Sequence, residues 1–280
     1  METMQQVQDL RQQARRSETP CGVGVLVWHD WGPPTGPPVL LLHGGAGSWT
    51  HWVRNIAPLL DAGNRVLAPE LPGFGESAVP PDGHDADVLP GWLELGLSRL
   101  LGDTPVTLIG FSFGGLVGGL WAQARPARVA RLVLVGSPAL SAERLAPLDL
   151  RRWDRLPAGA ERLAAHRHNL LQLMLAHESS ASALAVALHA ANAERDRLRQ
   201  RRLMLTDALV PVLAGLHCPL HGIWGARDAL YVHRLPLIQQ VLSIAPRFVA
   251  LDLLADAGHW VQFEAAEAFN RALAAALSAH

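Results

Sequence analysis

The chain has 280 residues, of which 49% are apolar and 18% are charged. A chain of this length and composition can bury a large core and differs from a disordered protein. Its formal net charge of −1 at pH 7 argues against nucleic acid or an anionic membrane as a partner. We expect a small-molecule substrate instead.

The N-terminal segment, residues 1–18, is polar. It contains no apolar run of the kind that a signal peptide or a membrane span requires, so we expect a cytoplasmic protein. Residues 2–17 are interpreted as a polar helix or a frayed tail. Residues 23–28 have the clustered apolar pattern of a first strand.

From residue 39 onward, short runs of Val, Leu and Ile are each followed by a glycine-containing turn and a segment with helical spacing. Apolar runs separated by helix-length segments predict parallel strands that are covered on both faces. The predicted class is therefore α/β, with an open, mostly parallel sheet whose ligand lies beyond the carboxyl ends of the strands. The runs are residues 39–42, 65–68, 106–109, 132–135, 220–224 and 248–253.

Residues 141–217 interrupt this pattern. They contain no convincing strand and are dense in Leu, Ala, Arg and His at helical spacing. We interpret them as an inserted helical cap. The flanking segments, 1–140 and 218–280, then form the core domain.

A Gly-x-Ser-x-Gly sequence follows the strand predicted at residues 106–109. Ser112 stands at its centre, with Gly110 and Gly114 two positions away on either side. A serine at a sharp strand-to-helix turn has a strained backbone, and small residues at these two positions avoid clashes. The motif alone is weak, but its position between a strand and a helix favours a nucleophile elbow.

A glycine-rich loop follows the strand predicted at residues 39–42. Its glycines allow the backbone to approach a substrate, and we expect the amides of Gly45 and Phe113 to form an oxyanion hole. His43 begins this loop. We interpret it as a structural histidine that braces the loop rather than as a catalytic base.

Asp228 and His259 follow the last two predicted strands, which gives the chain order Ser, Asp, His. An imidazole can take the proton of the serine hydroxyl, and a carboxylate fixes the tautomer of that imidazole. We therefore predict that Ser112, Asp228 and His259 are the catalytic residues. Asp252 and Asp256 are rival carboxylates, but their closeness to His259 in the sequence favours a turn or helix-start role.

No metal site is predicted, because the remaining histidines are scattered and no group of possible ligands has metal-binding spacing. The two cysteines, Cys21 and Cys218, lack the spacing of a zinc or redox motif. We interpret them as core or semi-exposed thiols.

These motifs together resemble the α/β-hydrolase family. The resemblance rests on the loop at 43–45, Pro-Gly-Phe-Gly-Glu-Ser at 72–77, the elbow at 110–114, Asp228, and Gly-His at 258–259. It implies a sheet of about eight strands, a helical cap after the sixth strand, and no cofactor. The serine at the elbow argues against haloalkane dehalogenases and epoxide hydrolases, which carry an aspartate there.

Part of the chain is similar to carbon-carbon bond hydrolases that cleave ring-fission products of aromatic degradation. The similar segments are Gly-His-Trp-Val-Gln-Phe-Glu at 258–264 and the Phe-Asn pair at 269–270. The resemblance implies that Trp260 contacts the substrate and that a cap arginine, for which Arg199 is the candidate, anchors a substrate carboxylate. Several neighbouring arginines also fit a solvated face of one helix: Arg195, Arg197, Arg201 and Arg202.

Three functions remain open. The first is hydrolysis of a small carboxylic ester or similar acyl compound through an acyl-enzyme. The second is hydrolytic cleavage of a carbon-carbon bond in a vinylogous keto acid, and the third is a small-molecule receptor on the same fold. Turnover of a generic ester separates the third from the first two, and a chromogenic dienone acid separates the second from the first.

Overall fold

The computed structural model describes residues 3–143, 147–198 and 200–278. Its strands form one sheet of eight strands. They are β1 (Arg15–Cys21), β2 (Gly24–Trp31), β3 (Pro38–Leu42), β4 (Arg65–Pro69), β5 (Val106–Phe111), β6 (Val129–Val135), β7 (Leu220–Gly225) and β8 (Phe248–Leu254). All six strands predicted from residue 39 onward are present.

The helices precede, connect and follow these strands. They are α1 (Met4–Gln13), α2 (Ile56–Asp61), α3 (Leu89–Leu101), α4 (Phe113–Ala124), α5 (Ala160–Leu173), α6 (Ala183–Glu194), α7 (Leu209–Ala214), α8 (Leu235–Leu242), α9 (Val261–Glu264) and α10 (Ala266–Ser278). Among the described residues, no helix has both the length and the apolar character needed to cross a bilayer.

The strand order across the sheet is β1-β2-β4-β3-β5-β6-β7-β8. The six strands from β4 to β8 run parallel, whereas β2 pairs antiparallel with both β1 and β4. This arrangement confirms the predicted α/β class with an open, mostly parallel sheet. It also brings the loops after β3, β5, β7 and β8 to the same edge of the sheet.

Each face of the sheet packs into its own apolar core. In β3, Leu40 and Leu42 belong to one core, and Val39 and Leu41 belong to the other. Successive side chains of a strand point to opposite faces, so a strand covered on both faces must be apolar at every position. This double burial explains why the inner strands are continuous apolar runs in the sequence.

The N-terminal segment differs from the prediction. The polar helix ends at Gln13, and the chain then forms β1, an edge strand that pairs with β2 in an antiparallel ladder. The first residues of β1, Arg15 to Glu18, are polar and largely exposed, so the strand has no apolar pattern to reveal it. Charged residues and a proline are typical of an exposed sheet edge, and β1 carries Pro20.

In the described part of the segment interpreted as a cap, three α-helices lie between β6 and β7. Helices α5 and α6 pack against each other, whereas α7 packs against α4 and contributes Leu209 to a core of the sheet. In α6, the Asn192 side chain hydrogen bonds with Ser48 and Thr50, just after the loop that follows β3. The division into a core domain and a cap at 141–217 remains a prediction.

Candidate active site

Ser112 lies at the turn between β5 and α4. Its φ of 48° is in the left-handed region, which is unusual for a residue with a side chain. The turn is tight on both sides: a Cβ at Gly110 would lie 2.6 Å from Gly115 Cα, and one at Gly114 would lie 2.5 Å from the carbonyl oxygen of His43. Only glycine fits at these two positions, as the elbow motif predicts.

Asp228 and His259 approach Ser112 from the loops after β7 and β8. His259 Nε2 lies 3.0 Å from Ser112 Oγ, and His259 Nδ1 lies 2.7 Å from Asp228 Oδ2. All three side chains are buried. The structure therefore brings the three residues together in one hydrogen-bonded path, and the carboxylate on His259 Nδ1 belongs to Asp228 rather than to the rivals Asp252 or Asp256.

The hydrogen bonds of this path fit one tautomer of His259. With its hydrogen on Nδ1, the imidazole donates to Asp228, and Nε2 is then free to accept the hydrogen of the Ser112 hydroxyl. Asp228 is itself held, because its Oδ1 accepts the backbone N–H of Leu230 at 2.9 Å. The arrangement can remove a proton from the serine and stabilise the resulting imidazolium.

The loop after β3 lies beside Ser112. A Cβ at Gly44 would lie 3.1 Å from Ser112 Cβ, so the backbone of the loop lies against the serine. Gly45 lines the same cavity as Ser112. Phe113 is the first residue of α4, where a backbone N–H has no partner within its own helix. Both predicted oxyanion donors thus lie on segments next to Ser112.

Two buried histidines hold this loop. His43 Nδ1 donates to the carbonyl oxygen of Gly44 at 2.8 Å, and Nε2 accepts the backbone N–H of Leu71 at 2.9 Å. His51 Nδ1 accepts the N–H of Gly44 at 3.2 Å. Burial lowers the pKa of His43 to about 4, so its ring is neutral at pH 7. Both ring nitrogens form hydrogen bonds with backbone groups. This geometry fits the structural role predicted for His43.

A cavity of about 630 Å³ opens above Ser112 and His259. Its wall is largely apolar, and among the described residues the charged ones on it are two arginines and one glutamate. A pocket of this kind suits a small, mostly apolar ligand with few polar groups. The other lining residues are Gly45, Ala46, Phe111, Pro138, Ala139, Ser141, Ala142, Glu143, Leu173, Met174, Arg201, Met204, Leu205, Leu230, Tyr231 and Arg234.

Comparison with known proteins agrees with the fold. A family model described as the alpha/beta hydrolase fold matches residues 37–266. The chain belongs to this family. It is 31% identical to the 2-hydroxymuconate semialdehyde hydrolase of Pseudomonas sp. strain CF600, over 86% of each chain. This α/β hydrolase is an enzyme, in line with the prediction.

Two further similar proteins have names that give different kinds of substrate. The hydrolase is 29% identical to the 2-hydroxy-6-oxo-6-phenylhexa-2,4-dienoate hydrolase of Burkholderia cepacia, over 84% of this chain and 86% of that protein. A crystal structure from Burkholderia cenocepacia, provisionally assigned as an aryl esterase, is 27% identical with a TM-score of 0.77. That match covers 95% of this chain and all of the other.

Arg201 and Arg234 are the described arginines that line the cavity of the hydrolase. The candidate Arg199 lies outside the described residues. Arg201 Nη1 lies 2.7 Å from Asp196 Oδ2 and donates to the carbonyl oxygen of Leu198 at 2.6 Å. The interpretation of one arginine-rich helix is wrong, because α6 ends at Glu194 and the described arginines that follow lie outside a helix.

Trp260 is not on the wall of the cavity. Its ring is fully buried and stacks on Phe263 at 4.1 Å between centroids, and its Nε1 donates to the carbonyl oxygen of His51 at 3.0 Å. The structure therefore gives Trp260 a packing role behind the loop that follows β3. Arg234 and Glu143 also line the cavity, and Arg234 Nη2 lies 3.4 Å from Glu143 Oε2. Sequence reasoning missed both residues because neither belongs to a recognisable motif.

Proposed function

We propose that this α/β hydrolase is a serine hydrolase that cleaves a small carboxylic ester through an acyl-enzyme. The observation that carries the proposal is the hydrogen-bonded path from Asp228 through His259 to Ser112. In this proposal Ser112 is the nucleophile, His259 is the general base, and Asp228 holds the imidazole in the productive tautomer.

The first half-reaction forms the acyl-enzyme. As Ser112 Oγ attacks the ester carbonyl, its proton moves to His259 Nε2. The carbonyl oxygen becomes an oxyanion, which we propose is stabilised by the backbone N–H groups of Gly45 and Phe113. When the bond between the carbonyl carbon and the alcohol oxygen breaks, His259 returns the proton to the leaving alcohol.

The second half-reaction repeats these steps with water. His259 takes a proton from the water as it attacks the acyl carbon, and the collapse of the second tetrahedral intermediate returns that proton to Ser112. The products are the carboxylic acid and the free enzyme. The apolar cavity favours a small substrate, and we propose that the cap at 141–217 forms part of its wall through Leu173, Met174 and Arg201.

A panel of p-nitrophenyl esters with short acyl chains tests this function. We expect release of p-nitrophenol with saturation kinetics, and covalent labelling of the protein by a fluorophosphonate probe. Absence of turnover on every ester, together with absence of labelling, would contradict the serine hydrolase and favour a receptor on this fold.

A second candidate is hydrolysis of a carbon-carbon bond in a vinylogous keto acid. Arg201 favours it, because a guanidinium on the cavity wall can bind a carboxylate through two parallel hydrogen bonds. The relatives from Pseudomonas and Burkholderia cepacia have names that give unsaturated oxo compounds as substrates. The same serine, histidine and aspartate would serve this reaction.

The values of kcat/KM for two substrates separate the two candidates. The enzyme is offered 2-hydroxy-6-oxo-6-phenylhexa-2,4-dienoate and p-nitrophenyl butyrate in parallel assays. The ester proposal predicts a higher kcat/KM for the ester. A kcat/KM for the dienoate at least tenfold above that for the ester would instead establish the carbon-carbon bond hydrolase.

A further inference from the structure

Glu264 links the loop of His259 to the segment that follows α5. Its Oε2 accepts the backbone N–H of Gly258 at 2.7 Å, one residue before the histidine. Its two oxygens also accept the N–H groups of Ala176 and His177, at 2.9 to 3.0 Å. One carboxylate therefore joins the backbone next to the proposed base to the backbone of residues 176–177.

A second contact holds the other side of His259. The backbone N–H of Trp260 donates to the carbonyl oxygen of Met174 at 2.7 Å. The backbone at Gly258 packs directly against residues 174–176, since a Cβ at Gly258 would be 2.7 Å from the nitrogen of Ala176. Gly258, before His259, is thus linked to Ala176 through Glu264, and Trp260, after His259, is hydrogen bonded directly to Met174.

These contacts matter because β8 ends at Leu254, several residues before His259. The strand alone therefore does not fix the buried imidazole, whose Nε2 lies 3.0 Å from Ser112 Oγ and whose Nδ1 lies 2.7 Å from Asp228 Oδ2. A base displaced by about 1 Å loses roughly 100-fold in rate, so the support of this loop affects catalysis.

We propose that Glu264 is a positioning residue for the general base, and that residues 174–177 form part of the frame that holds His259. This inference rests on the proposed role of His259. Glu264 acts through the backbone N–H groups of Gly258, Ala176 and His177 and does not touch the substrate, since it is absent from the cavity wall described above. Its effect therefore appears in kcat rather than in KM.

Both oxygens of Glu264 are needed for this task. Oε1 accepts from His177 and Ala176, and Oε2 accepts from Gly258 and Ala176. Glutamine keeps the length of the side chain, but its amide has only one acceptor oxygen. Glu264→Gln therefore breaks the link on one side, and Glu264→Asp keeps both acceptors on a shorter stem.

The control is Glu267→Gln, which removes an exposed carboxylate three residues away on α10. We expect Glu264→Gln to lower kcat for the ester about 10- to 100-fold with KM changed less than about twofold. We expect Glu264→Asp to recover part of the kcat, and Glu267→Gln to match the native enzyme. The pH profile of kcat should change in Glu264→Gln only.

A measurement without turnover separates this inference from the proposed function. The ¹H NMR resonance of the His259 Nδ1 hydrogen, assigned by its loss in His259→Ala, reports the hydrogen bond to Asp228. We expect the resonance to shift or broaden in Glu264→Gln and to stay unchanged in Glu267→Gln, whatever the substrate is. An unchanged resonance, kcat and pH profile in a Glu264→Gln protein with a lowered Tm would show that Glu264 only fastens the two segments together, and would overturn the inference.

Discussion

Arg201 lies directly over the backbone of Gly45. A Cβ built at Gly45 would be 3.2 Å from Nη2 of the arginine. The guanidinium carbon is also 5.3 and 5.5 Å from the ring centroids of Phe74 and Phe113, and Nη1 is paired with Asp196. We propose that this guanidinium, at the edge of the proposed oxyanion hole, recognises an acidic group of the substrate.

The substitution Arg201→Lys tests this recognition. Lysine keeps the positive charge beside Asp196, but it cannot bind a carboxylate through a planar fork. We expect kcat/KM for an acidic substrate to fall about 10- to 100-fold, which corresponds to the loss of one charge-assisted hydrogen bond. A matched neutral ester should change less than about twofold.

The matched control is Arg202→Lys, since Arg202 is the exposed neighbour of Arg201. It should leave both substrates unaffected. Equal losses on the acidic and the neutral substrate in Arg201→Lys would mean that the arginine supports the loop and takes no part in substrate choice.

The role of Asp228 is tested by Asp228→Asn. Asparagine keeps the shape of the carboxylate but favours the wrong tautomer of His259, and we expect kcat to fall by about 10⁴. Asp256→Asn is the control, because Asp256 lies in the loop before His259 and should be dispensable. If Asp228→Asn had a near-normal kcat and Asp256→Asn had the strongly reduced one, the carboxylate would come from the loop after β8.

Acid should destabilise the fold through the buried histidines. Burial lowers the pKa of His43 to about 4, from about 6.5 in an unfolded chain. Because the unfolded chain binds the extra proton first, this stability is complete above pH 6.5 and is lost as the pH falls toward 4. His43 alone should lower the free energy of unfolding by about 2 to 3 kcal/mol between pH 7.5 and pH 4.5.

Urea unfolding at pH 7.5 and pH 4.5 measures this loss, with His43→Asn as the comparison. Asparagine does not titrate, and its amide can donate and accept as the imidazole does. The variant should therefore lose less stability on acidification than the native protein. An identical loss in both proteins would show that His43 does not carry the effect.

The sequence predicted the inner sheet and the three central residues for one physical reason. Strands buried on both faces must be apolar throughout, and parallel strands bring the residues after their carboxyl ends to one edge. Ser112 and Asp228 follow such strands, β5 and β7, whereas His259 follows β8, a partly exposed strand at the edge of the sheet. The carboxyl ends of all three strands lie on the same side of the sheet, so the proximity of the three residues could be expected from their positions after the strands.

The misses have physical causes as well. Strand β1 is a polar edge strand and lacks the apolar pattern that reveals a buried strand. Arg201 lies in an irregular segment after α6, where helical periodicity does not apply and the direction of a side chain depends on tertiary contacts. Trp260 was expected at the substrate from a resemblance, but the structure buries its ring between His51 and Phe263.

The most direct test of the account is the activity and labelling of Ser112→Ala, compared with the native enzyme at equal concentration. The variant should fold normally, hydrolyse p-nitrophenyl butyrate with a kcat reduced by about 10⁴ to 10⁶, and fail to react with a fluorophosphonate probe that labels the native protein. Equal labelling and turnover in the two proteins would contradict the assignment of Ser112 as the nucleophile.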